Sequence, residues 1–82
     1  MIMSKSKVIV VLARRLAQCY INIECAKKDK SKYGKEWFDD YRCGQQSIIV
    51  TILSISRDLG VLNKVNDEAD YIFDDYVERG AE

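Results

Sequence analysis

The sequence predicts an all-α fold, a small antiparallel bundle of three helices. Two observations favour this fold class. The 82 residues include no proline and only four glycines, so the elements between chain breakers are long. Apolar residues also recur at helical spacing through most of the chain. A chain of this length supports one hydrophobic core, so residues 1–82 are expected to form a single helical domain.

The first helix is predicted from about Lys7 to Lys28, with Ser4 or Ser6 as its N-cap. Its apolar residues form two stripes, one of Val8, Leu12, Leu16, Cys19, Ile23 and Ala26 and the other of Val10, Ala13, Ala17 and Ile21. With Val50 and Leu53 facing outward on the second helix, this is more apolar surface than one monomer covers. A homodimer is therefore expected.

The second helix is predicted from about Gly34 to Leu59, with Gly60 placed to end it. Its core stripe is Trp37, Tyr41, Ile48, Ile52, Ile55 and Leu59. Gly44 interrupts the pattern, which predicts a break or kink near residues 43–45. Gln45 lies within the stripe. It is expected to bond the backbone groups that the break sets free, with a self-association contact as the alternative.

The third helix is predicted from about Val65 to Arg79, with Asn63 or Asn66 as its cap and Gly80 after it. Its inward residues are Val65, Ala69, Ile72, Phe73 and Tyr76. Residues 29–33 and 60–64 are expected to be short linkers, which makes neighbouring helices antiparallel.

The β-branched runs at residues 8–11 and 48–52 also suit buried strands. Helices are preferred because no turn signal follows either run for ten residues or more, and the stripes continue at helical spacing.

The tetrapeptide FDDY occurs twice, at residues 38–41 and 73–76. The flanking residues differ, and the copies fall near the start of one helix and the end of another, so they are a coincidence and not a tandem repeat. Adjacent aspartates on a helix point about 100° apart, so each pair offers one ligand to a cation. Neither a metal nor another cofactor is expected.

Cys19, Cys25 and Cys43 match no zinc pattern, and the chain has no histidine. They are expected to be core thiols in a reducing cytoplasm. The chain also lacks a phosphate-binding glycine loop and a nucleophile with a visible base, which predicts a protein without enzymatic activity. The longest uncharged run, residues 43–56, is shorter than the roughly 20 residues that cross a bilayer, so no membrane span is expected.

The zero net charge conceals a division along the chain. Residues 1–35 hold nine basic and two acidic residues, a net charge of +7, and residues 36–82 hold four basic and eleven acidic residues, a net charge of −7. Opposite the core side of the third helix lies an acidic row with an aromatic residue in it. The candidate partner-binding residues are Asp67, Asp70, Tyr71, Asp74, Asp75 and Glu78, with Glu68 beside them.

This row imitates a line of phosphates and predicts binding to a basic surface of another protein, as a small inhibitor or regulator. Small antagonists from phages or mobile elements share this size and charge, an analogy that no motif supports. The simpler interpretation is a solvated helix face.

The alternative function is a nucleic-acid-binding regulator that uses a lysine-rich turn. Its candidate residues are Lys27, Lys28, Lys30, Lys32, Tyr33 and Lys35, which combine phosphate-binding cations with an aromatic ring. The isoelectric point of about 6.3 is low for a DNA-binding domain. The competing interpretation is a solvated turn that balances the acidic third helix.

Overall fold

The computed structural model describes residues 4–80, which form three α-helices. These are α1 (Lys5–Tyr33), α2 (Lys35–Asp58) and α3 (Leu62–Glu78). No β-strand occurs in this part of the chain, so both β-branched runs are helical. The predicted all-α three-helix bundle is confirmed.

The side-chain contacts define how the helices run. Asn22 on α1 donates a long hydrogen bond of 3.4 Å to Gln45, and earlier residues of α2 meet later residues of α1, so α1 and α2 are antiparallel. Tyr20 packs edge-on against Phe73 with ring centroids 6.0 Å apart. Further along both helices Cys25 meets Tyr76, so α1 and α3 run in the same direction.

Helix α1 lies at the centre of the packing. It packs along both α2 and α3, whereas α2 and α3 contact each other only sparsely. Both predicted stripes of α1 are used within the chain, because Leu16 of the first stripe and Ala13 and Ala17 of the second are fully buried. The second stripe therefore gives no reason to expect a dimer.

The ends of α1 explain one correction. Ser4 is the N-cap as predicted, and its hydroxyl accepts a hydrogen bond of 3.2 Å from the backbone N–H of Lys7. The predicted end at Lys28 is wrong, because α1 continues to Tyr33 and no chain breaker precedes Gly34. Gly34 alone connects α1 to α2, with a φ of 96° that favours glycine.

Helix α2 is continuous over 24 residues, so the break predicted at Gly44 is wrong. Gln45 bonds the side chain of Asn22 and not a freed backbone group. Gly60 follows the C-cap of α2 with a φ of 73°, as predicted. Helix α3 begins at Leu62, earlier than expected, and Val61 is its cap, so neither Asn63 nor Asn66 has the predicted role.

The core contains residues of all three helices and includes Val61 in the connection between α2 and α3. Its buried residues are Ala13, Leu16, Ala17, Cys19, Ile49, Ile52, Val61, Val65 and Ala69. The predicted stripe of α2 is out of phase with this core: Ile52 is buried, but Ile48, Ile55 and Leu59 are exposed.

The positions that α2 buries are Phe38, Ile49, Ile52 and Ser56. Ser56 is fully buried, and its hydroxyl donates a hydrogen bond of 2.8 Å to the carbonyl of Ile52. A polar residue therefore occupies a core position without leaving an unpaired group. Of the helices in residues 4–80, none combines the length and apolar character that a bilayer span requires.

Candidate functional site

The outer side of α3 carries the predicted row of carboxylates. The acidic face consists of Asp67, Glu68, Asp70, Tyr71, Asp74, Asp75 and Glu78. All of these residues are exposed except Asp75, which is half-buried. Val65 and Ala69 are fully buried on the opposite side of α3, and this anchoring holds the acidic face towards solvent. The structure thus brings all six predicted partner-binding residues onto one face.

Tyr71 lies in the middle of the acidic face and is 69% exposed. Residues three and four positions apart are neighbours on a helix surface, so Asp67, Asp74 and Asp75 surround it. The ring has no aromatic partner among the described residues. An exposed tyrosine inside a ring of carboxylates offers apolar contact area and negative charge together.

The electrostatics of α3 are unfavourable for the isolated helix. Its 17 residues carry six acidic side chains and one lysine. Within residues 4–80, Asp75 is the single member of the acidic face with an ion pair, 3.0 Å from Arg79. Asp70, Asp74 and Glu78 are four residues apart, where like charges repel, and the last turn of the helix favours cations. Helix stability does not explain this arrangement.

The second predicted site is helical and not a turn. The basic cluster, defined as Lys27, Lys28, Lys30, Lys32, Tyr33 and Lys35, occupies the last turns of α1 and the first residue of α2. Its six residues are all exposed, as a nucleic-acid contact requires. Residues 29–33 were predicted to form a linker. They are instead the last residues of α1.

Several lysines of the basic cluster already have partners. Lys27 lies 3.4 Å from Glu24, and Lys35 lies 4.0 Å from Asp39. Lys30 lies 5.5 Å from the centroid of the Phe38 ring, and Lys32 lies 5.0 Å from that of Tyr33. The lysines themselves are exposed, so these are weak contacts that a phosphate group would displace at little cost.

An aromatic ladder beside the basic cluster was not predicted. Tyr33 and Trp37 have ring centroids 4.9 Å apart, and Trp37 stacks on Tyr41 at 5.8 Å with an interplanar angle of 18°. The apolar periodicity of α2 predicted that Trp37 and Tyr41 lie in the core, whereas both are half-buried. The spacing of four residues between the three rings was the signal that could have found the ladder.

The three cysteines lie in different environments and are all free thiols. Cys19 is a core thiol as predicted, and burial raises its pKa. The prediction is wrong for Cys25 and Cys43, which are exposed. The Cys25 sulfur lies 3.1 Å from the Tyr76 hydroxyl, and this hydrogen bond raises the pKa of Tyr76.

The pKa of one more tyrosine is raised. Burial, with the nearby Asp70 charge, raises the pKa of Tyr20.

The FDDY aspartates are not brought together. Asp39 lies within 4.0 Å of Lys35 and of Arg42, and Asp75 pairs with Arg79 on another helix. Over the described range, no group of three or more potential ligands is placed to hold a metal ion.

Compared with known proteins, the chain matches no family model, no curated protein sequence and no solved structure.

Proposed function

We propose that this protein is a non-catalytic binding protein that covers a basic surface of a partner protein with its acidic face, as an inhibitor or regulator of that partner. The observation that carries the proposal is Tyr71, 69% exposed at the centre of the carboxylates of α3. Exposed aromatic residues supply binding energy at protein interfaces, and surrounding charges give orientation and fast association.

The unfavourable charges on α3 support the proposal. A helix face that only needs solvation is more stable with mixed charges, because pairs of opposite charge four residues apart attract. The acidic face instead holds six carboxylates, and among the described residues only Asp75 has an ion pair, with Arg79 outside the face. A basic partner neutralises the carboxylates on binding. The loss of their mutual repulsion then contributes to the affinity of the complex.

The experiment compares two variants with the same net charge. In the first, Asp70→Asn, Asp74→Asn and Glu78→Gln neutralise the acidic face. In the control, Glu36→Gln, Asp40→Asn and Asp58→Asn remove three charges from α2. Tagged proteins capture partners from a cell extract with and without nuclease. The affinity of the captured protein, once identified and purified, is then measured by calorimetry at several salt concentrations.

We expect the acidic-face variant to fold normally and to lose at least about tenfold in affinity, with a weaker salt dependence. The control variant should bind like the wild type. Equal losses in both variants would show that net charge alone matters, and the proposal for α3 would be abandoned.

The second candidate function is nucleic-acid binding through the basic cluster. The aromatic ladder favours it, because lysines and aromatic rings together suit single-stranded nucleic acid. However, the rings of the ladder already cover one another, which leaves fewer open faces for bases. If Lys28→Ala, Lys30→Ala and Lys32→Ala abolish capture, if nuclease removes the captured material, and if the acidic-face variant still binds, this candidate replaces the first.

The proposal includes two further features of the protein. The free thiols of Cys19, Cys25 and Cys43 suit a reducing compartment, which supports a cytoplasmic location. The exposed apolar residues of α2 support self-association as a homodimer.

A further inference from the structure

Helix α2 carries a mainly apolar strip that the fold leaves exposed over most of its length. Its members are Tyr41, Gly44, Ile48, Thr51 and Ile55, and they are named here the α2 seam. Ile48 and Ile55 are 48% and 44% exposed, Gly44 and Thr51 are exposed, and Tyr41 is half-buried. The sequence pattern had assigned Tyr41, Ile48 and Ile55 to the core, but the core face of α2 is rotated away from them.

The spacing along the α2 seam is that of a helix-pairing surface. Successive members are separated by three, four, three and four residues. This alternation has a period of 3.5 residues and produces a narrow strip, which is the pattern of coiled-coil contacts. The natural occupant of such a strip is another α-helix.

The seam is also self-complementary. Large and small residues alternate along it, from Tyr41 through Gly44, Ile48 and Thr51 to Ile55. An antiparallel copy centred between Ile48 and Thr51 places each Ile48 against a Thr51, and each Ile55 against a Gly44. Large residues then face small ones in every central layer, as close packing requires. A parallel copy would place Gly44 against Gly44 and leave a gap.

The charge pattern suits a two-fold axis. In a symmetric dimer, residues near the axis face their own counterparts, so a charge there meets the same charge. Residues 43–56 of α2 contain no charged side chain. The hydroxyls of Ser47 and Thr51 already donate to the carbonyls of Cys43 and Ser47, at 3.2 and 2.9 Å. A second helix that covers this region would therefore desolvate few polar groups that lack a hydrogen bond.

Gly44 independently indicates that a second helix packs against α2. A glycine weakens a helix relative to alanine, and the bundle offers no reason for it here. Its φ is not positive, and a Cβ atom built at this position would meet nothing within 4 Å. A small residue is required if the side chain of a second helix occupies that space.

We infer that two copies of this chain associate through an antiparallel pairing of their α2 seams. From Tyr41 to Ile55 the seam is about 21 Å long. A contact of this length buries less than a standard specific interface, so we expect a weak, transient dimer with a dissociation constant in the micromolar range or above.

Sedimentation equilibrium from about 1 to 500 µM tests the inference. The wild type should convert from monomer to dimer over this range. Ile48→Asp should be monomeric throughout, with its affinity lowered at least about a hundredfold. Val77→Asp is the matched control, because Val77 on α3 is also 48% exposed. It should dimerise like the wild type. Circular dichroism verifies that both variants are folded.

A size exchange tests the pairing itself. Gly44→Ile and Ile55→Ala should each weaken the dimer at least about tenfold, and the double variant should recover most of the loss, because large still faces small. A wild type that is monomeric at 500 µM, an Ile48→Asp dimer, or a double variant without recovery would each overturn the inference. The inference deepens the self-association proposed above and rests on it. Because the α2 seam does not include the acidic face, the proposed binding to a basic partner can fail independently.

Discussion

Ile52 lies on the buried face of α2, where it is 7% exposed and packs against the core. Ile52→Asp should unfold the protein or lower its free energy of unfolding by more than about 3 kcal/mol, because an unpaired charge replaces a packed side chain. Ile55→Asp should change it by less than about 1 kcal/mol, since Ile55 is exposed. Urea denaturation at low micromolar protein concentration measures both. Similar losses in the two variants would contradict the assigned face of α2.

Single residues differ in how far the sequence determines their environment. Val65 and Ala69 were predicted to face inward, and both are fully buried, because α3 has only one apolar side. Ile48 was predicted in the core stripe and is exposed, whereas Ile49, outside that stripe, is buried, because α2 has apolar residues on two overlapping stripes. Periodicity alone does not decide which stripe meets α1. The face that meets α1 includes the buried Ser56, and no hydropathy pattern assigns a serine to a core.

Gly44 affects the stability of a whole helix. Helix α2 is continuous through Gly44, and space for a Cβ is open. Gly44→Ala should raise the free energy of unfolding of the monomer by about 0.5–1 kcal/mol, because alanine loses less conformational entropy in a helix.

Gly34→Ala is the contrasting variant. Its site is equally open, but its φ of 96° is unfavourable for a side chain, so this change should be destabilising. Thermal unfolding at about 1 µM compares the two variants in the monomer. A destabilising Gly44→Ala would indicate a contact within the chain that the structure does not show.

Helix boundaries are predicted well where the local sequence signal is strong and poorly where it is weak. The Ser4 cap of α1 and the Gly60 that follows α2 were both predicted, because a hydroxyl cap and a left-handed glycine act through the backbone nearby. The extension of α1 through residues 29–33 was missed, since a polar, lysine-rich segment resembles a linker. Continuation depends on the absence of a breaker before Gly34, and on Lys30 and Lys32 in the last turn, where cations are favourable.

The candidate sites of the whole molecule also differ in how far the sequence predicts them. The acidic face was predictable in full, because an amphipathic helix with a strong apolar side has one solvent side. The α2 seam was not, because a strip that pairs with another copy and a strip that packs within the chain have the same chemistry. Distinguishing them requires the relative positions of α1 and α2, which long-range packing determines.

Stability should be unevenly distributed over the molecule. The core cluster joins the first half of α1 to the second half of α2 and the first half of α3. Between residues 24 and 47 only Ala26 and Phe38 are buried, and none of residues 70–80 is. The end with the basic cluster is therefore held by few apolar contacts, and opening it exposes little surface.

Native-state hydrogen exchange should reveal this gradient. Amides at residues 13–19 and 65–69 should open only with global unfolding, whereas those at residues 27–38 should exchange at least about tenfold faster after correction for intrinsic rates. The same amides should also respond least to Ile52→Val, because local opening does not involve the core that this change weakens. Uniform protection along α1 would show that the basic end is held as tightly as the core, and that contacts beyond apolar burial stabilise it.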